Sequence, residues 1–78
     1  MHKAISSDTY SLFLDWLKEG RAKQGLTIRQ LAELLEEHPS VVGKIETGQR
    51  RLDLFEYCQY CEALGLSPCD GLKLLKQA

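Results

Sequence analysis

The chain has 78 residues, 44% of them hydrophobic and 27% charged, with ten Lys plus Arg against eleven Asp plus Glu. Ordinary apolar content, two prolines, six glycines and no biased stretch exclude a collagen-like, low-complexity or disordered chain and leave one small soluble domain, residues 1–78. No run approaches the roughly 20 apolar residues of a membrane span, and Met1 to Ser7 has no apolar signal core, so a cytoplasmic protein with no membrane partner is expected.

Ser7 or Asp8 is the expected cap of a first helix over about 8–24, whose Tyr10, Phe13, Leu14 and Leu17 recur at three and four, with Gly25 as the stop. Thr27 then caps a second helix. Gln30 reaches back to complete a capping box, Leu26 and Leu31 form a staple, and Leu31, Ala32, Leu34 and Leu35 point inward. That helix runs out at Glu36-Glu37. Pro39 suits a first turn, so a third helix starts there and stops at Gly48, with Val42 and Ile45 inward. Asp53, Glu56, Leu52 and Tyr57 repeat the capping box and staple for a fourth helix that Gly65 ends, and Ser67-Pro68 opens a short fifth. Helices 4 and 5 together span about 53–76. No bounded period-2 run appears, so the fold class is all-α.

A capped short helix, a turn of about three residues and a second short helix ending in Ile-Glu-x-Gly outline a helix-turn-helix over about 27–47. The residues are Gly25-Leu26-Thr27, Gln30-Leu31-Ala32-Glu33, Ser40, Val42, Lys44-Ile45-Glu46 and Gly48, continued by Arg50-Arg51-Leu52-Asp53 and by Glu62-Ala63-Leu64-Gly65-Leu66-Ser67-Pro68. Over about 10–70 this resembles the Cro/C1 (XRE) family of phage-repressor-type DNA-binding domains, and most of all its small stand-alone regulators. The resemblance implies a compact five-helix domain whose third helix enters the major groove. It also implies a structural ion pair between Arg21 and Glu46, and a left-handed backbone at Glu36, where the family turn usually has Gly.

Between Arg21 and Arg51 six basic residues face four acidic ones, a local charge of +2, while the other 47 residues carry −3. If Arg21 and Glu46 neutralise each other, the remaining positive charge lies at the start of helix 2, on helix 3 and in the loop after it. Those places face phosphates when helix 3 lies in the groove. Thr27, Arg29, Gln49, Arg50 and Arg51 are therefore the candidate DNA backbone contacts, Thr27 through the open helix N-terminus. On helix 3, Ser40, Val41 and Lys44 are the candidate base contacts: Lys44 toward guanine, Ser40 toward a base or phosphate, Val41 toward a thymine methyl.

Cys58-Gln59-Tyr60-Cys61 with Cys69 has the look of a thiol or metal site, but no second pair or nearby histidine supports one. Small buried thiols, reduced in the cytosol, are the expectation; no metal, cofactor or catalytic residue is assigned, and the chain is read as a non-enzyme. His38 caps or flanks helix 3. Trp16, Phe55, Tyr57 and Tyr60 fall on amphipathic helices and read as core or interface.

The sequence thus indicates a transcriptional regulator, a repressor or autoregulator, that binds double-stranded DNA at a near-palindromic operator as a homodimer. Leu66, Leu72 and Leu75 are its candidate dimer interface. The rival reading is a protein-interaction adaptor on the same fold, favoured by Ile28, Pro39 and Gly43 at positions where the family often has polar side chains and opposed by Lys44, Arg50 and Arg51.

Overall fold

In the computed structural model, which describes residues 7–76, five helices follow one another: α1 (Ser7–Lys23), α2 (Ile28–Leu35), α3 (Pro39–Glu46), α4 (Leu54–Leu64) and α5 (Pro68–Leu75). Each interior start is set locally. Thr27 Oγ1 accepts from Gln30 N–H at 3.1 Å while Gln30 Oε1 accepts from Thr27 N–H at 2.9 Å. The same exchange joins Asp53 and Glu56 at 2.7 and 3.0 Å. Two otherwise orphaned N–H groups are satisfied at each start, which is what a capping box achieves. Pro39 and Pro68 open α3 and α5, where a missing N–H costs nothing. The first helix departs from expectation: Ser7 and Asp8 are already helical, so neither is its cap.

Four helices stop alike, α3 through Gly48 at φ +81, whose N–H donates to Ile45 O while Gln49 N–H donates to Lys44 O. After α1, Leu26 N–H donates to Arg21 O and Gly25 N–H to Ala22 O, the paired bonds of a Schellman motif. Gly65 closes α4 in the same way, both glycines at φ +69. After α2 the motif is made by Glu36 at φ 56, the sole non-glycine with positive φ among the described residues. A side chain there costs about 1 kcal/mol, since its Cβ crowds the carbonyl.

Phe13, Leu14 and Leu17 of α1 meet Leu31 and Ala32 of α2, Val42 and Ile45 of α3, and Tyr57, Tyr60, Cys61 and Leu64 of α4 in one core. α1 packs on α3 and α5, α2 on α3 and α4, and α4 on α5. Two close approaches seat α5 and the turn before it. A Cβ at Gly71 would collide with the Tyr57 hydroxyl and lie 2.6 Å from Trp16, and one at Gly20 would lie 2.7 Å from Leu66. Tyr57 also donates to Pro68 O at 2.5 Å, fixing the start of α5 on α4.

Three inward assignments, Leu34, Cys58 and Cys69, are corrected. Leu34 is 58% exposed, because it lies about 100° around the helix from the face that Leu31, Ala32 and Leu35 share. Phe55, read as core or interface, is not in the core: it is 73% exposed beside Leu54, which is 80% exposed. Cys58 and Cys69 are exposed, and only Cys61 is buried. Among the described residues, no helix is long and apolar enough to cross a membrane.

Candidate nucleic-acid interface

α3 has two faces with different duties. Val42, Ile45 and Glu46 are buried against the other helices, while Ser40 and Lys44 are exposed on the other side. Val41 and Gly43 lie between, half-buried, and Val41 packs partly against the core. The inward face is anchored by charge as well as by apolar contact. Arg21 Nε donates to Glu46 Oε2 at 2.6 Å, its Nη2 donates to Oε1 at 3.0 Å, and its Nη1 donates to Leu26 O at 2.9 Å. One guanidinium therefore joins the end of α1, the turn that follows it and the last residue of α3.

The Glu46 side chain is only 6% exposed, so its desolvation is offset by a two-point, fork-shaped partner. Tyr60 lies close enough to feel both charges. Burial first, and the Glu46 charge second, push its phenol well above the ordinary tyrosine range. Among the described residues, its buried hydroxyl has no hydrogen-bond partner.

At the start of α2, Thr27 Oγ1 accepts from Gln30, which leaves its hydroxyl proton to donate outward, and Arg29 stands exposed beside it. In the loop after α3, Gln49 is exposed. The two arginines there, read from sequence as side chains open to phosphate, both have partners within the chain. Arg50 is half-buried and forks onto Glu56, with Nη2 to Oε2 at 2.6 Å and Nη1 to Oε1 at 3.3 Å. Arg51 is exposed and places its guanidinium carbon 5.3 Å from the centre of the Tyr10 ring, which holds the loop onto α1.

Glu56 thus serves the Asp53 cap and Arg50 at once. Arg50, and then the Asp53 N–H, hold its carboxyl below the usual carboxylate range. The sequence marks Glu56 only as a cap partner; the signal for its second role is a basic residue six positions upstream, just before the helix start.

Leu66, Leu72 and Leu75 do not share one exposure. Leu66 is half-buried beside Gly20, Leu75 is half-buried, and Leu72 is 44% exposed. Leu72 and Leu75 line an apolar groove with Tyr10, Leu52, Leu54 and Tyr57, and exposed Phe55 follows Leu54. Leu54 is not singled out by the sequence pattern; its signal is its place just after the Asp53 cap. Burial raises the Cys61 thiol above its ordinary value, and among the described residues no group of three potential ligands could hold a metal ion.

These features define a helix-turn-helix: a capped helix, a tight left-handed turn and a second helix with its far side exposed. Comparisons with known proteins agree. The helix-turn-helix family model matches residues 17–70. Among solved structures, the chain is similar to an XRE-family-like protein from Pseudomonas syringae pv. tomato, with 36% identity, a TM-score of 0.79, and 88% of this chain and 84% of that one covered. It is also similar to the clp gene regulator ClgR from Corynebacterium glutamicum, with 28% identity, a TM-score of 0.75, and 86% of this chain and 71% of that one covered. No curated protein matches the chain. The chain belongs to the helix-turn-helix family, of Cro/C1 (XRE) type.

Proposed function

We propose that this protein is a DNA-binding transcriptional regulator that represses or autoregulates by occupying a near-palindromic operator as a homodimer. The observation that carries the reading is the division of α3, whose inward face is held by the core and by Arg21 while Ser40 and Lys44 are exposed on the outward face. A helix held in this way can be presented to a groove without losing its orientation. Ser40, Lys44 and the accessible part of Val41 contact bases. Thr27, Arg29, Gln49 and Arg51 contact the phosphate backbone, and Arg50 joins them as a charge shared with Glu56. The similarity to the clp gene regulator ClgR supports a role in gene control.

One module of this size buries too little DNA for high specificity, so two copies act on half-sites about one helical turn apart. The dimer face is the groove edge carrying Leu72 and Leu75, extended by Leu54 and Phe55, with Leu66 supporting it from within. Selection of bound duplexes from a random pool tests the proposal. Enrichment of an inverted repeat is the expected result, and no enrichment by folded protein would overturn it in favour of the adaptor reading.

A further inference from the structure

His38 caps α3, and its ring nitrogen Nδ1 does two things at once. Ser40 N–H donates to Nδ1 at 3.1 Å, and Ser40 Oγ lies 2.9 Å from the same atom. A backbone N–H can only donate, so Nδ1 is an acceptor and the neutral imidazole carries its proton on Nε2. Because Nδ1 has no proton to give, the short contact with Ser40 Oγ has one consistent direction: the serine hydroxyl donates to the ring. The only hydroxyl proton of Ser40 is then spent inside the protein, and the side chain shows nothing but lone pairs to the exterior.

We infer that His38 is a positioning residue that turns Ser40 into an acceptor-only base reader, selective for the exocyclic amino group of adenine or cytosine. The inference rests on the DNA-binding reading above. A free serine hydroxyl accepts or donates and therefore tolerates any base edge. With its proton held by His38, it gains nothing from a phosphate oxygen, from guanine O6 or N7, or from thymine O4, all of which are acceptors. Replacing adenine by guanine, or cytosine by thymine, exchanges an amino donor for a carbonyl acceptor at the same place in the major groove, and that transition is what the site rejects.

Lys44, one turn further along the exposed side of α3, has only donors. The Thr47 hydroxyl is turned back onto Gly43 O and Lys44 O, at 3.1 and 3.2 Å. The outward face of α3 therefore offers one fixed acceptor and one mobile donor, a pattern matched by an amino-bearing base close to a guanine.

The experiment takes the best duplex selected by the wild-type protein and measures binding to every single transition of it, for wild type, Ser40→Ala and His38→Ala. Ser40→Ala keeps the backbone bond to His38 and loses only the hydroxyl, so it should fold as wild type does, which a thermal melt checks. For wild type, one base pair with adenine or cytosine on the contacted strand should lose roughly fivefold to tenfold in affinity on transition. Ser40→Ala should erase that penalty and leave the penalties at other pairs unchanged. His38→Ala should shrink the same penalty to about twofold or less, because the freed hydroxyl can donate again.

A Ser40-dependent pair that prefers guanine or thymine would overturn the inference, as would a penalty that Ser40→Ala does not alter. A penalty that survives His38→Ala would remove His38 from it. Wild-type protein that is folded but selects no sequence overturns the DNA reading itself, a result distinct from all of these.

Discussion

Two Arg–Glu forks hold this small protein together, and they differ in almost everything except their shortest distance. Both have a closest N···O separation of 2.6 Å. Arg21 and Glu46 lie 25 residues apart in sequence, with side chains 20% and 6% exposed, and they bind α3 to α1. Arg50 and Glu56 lie six apart, 38% and 24% exposed, and join a loop to the helix start that follows it. The first pair is desolvated and tertiary, and the second is wet and local. A short distance therefore measures geometry and not importance; burial decides what the loss of one partner strands.

The largest expected effect follows from that contrast. Arg21→Ala should cost about 3–5 kcal/mol, because it leaves the Glu46 charge buried and unpaired, and Glu46→Ala less, because Arg21 stays partly exposed and bonded to Leu26 O. Replacing both by Leu and Met should recover much of the loss in denaturant unfolding, and an undiminished loss in the double variant would break the comparison. The exposed pair should respond far less. Glu56→Ala should cost about 1 kcal/mol, chiefly through the cap, and by releasing Arg50 it should steepen the dependence of log K on log salt by about 0.9, one more phosphate contact.

The same carboxylate gives a pH signature. Its folded pKa is lowered, so its contribution is present above the ordinary carboxylate range near about pH 4.3 and is lost as pH falls through the lower folded value. Glu56→Gln should flatten that part of the acid-unfolding curve; an unchanged curve would show that Arg50 does not hold the carboxylate in solution. The smallest effect belongs beside the buried pair. Tyr60→Phe removes a buried hydroxyl that has no partner among the described residues, so calorimetry should find stability unchanged or raised by up to about 1 kcal/mol, and a clear loss would reveal a bond to the Arg21–Glu46 pair.

The helix starts were legible because a capping box is written within four consecutive residues. Thr27 to Gln30 and Asp53 to Glu56 needed no tertiary information. Glu36 in the left-handed turn and the Arg21–Glu46 pair followed from family resemblance and not from local chemistry, since one is a strained choice and the other spans the chain. Faces were harder to read than starts. Cys58 precedes the stripe of Tyr60, Cys61 and Leu64 by too few residues to share it, lying about 110° off, and Leu34 fails against α2 for the same reason. The partners of Arg50 and Arg51 were hidden because each depends on where a loop lands, Arg50 on Glu56 and Arg51 on the Tyr10 ring. Gly71 as the seat of α5 was also invisible, as its meaning comes from Tyr57 and Trp16 on other helices.

What most directly tests the account is the separation of α3 into a structural face and a reading face. Lys44→Ala touches only the exposed face, so thermal unfolding should shift by no more than about 0.5 kcal/mol in stability. Affinity for the selected operator, measured against a scrambled duplex at the same salt, should fall by roughly tenfold or more while scrambled binding changes little. Equal operator affinity for Lys44→Ala and wild type, with both proteins folded, would contradict the assignment of this face of α3 to DNA.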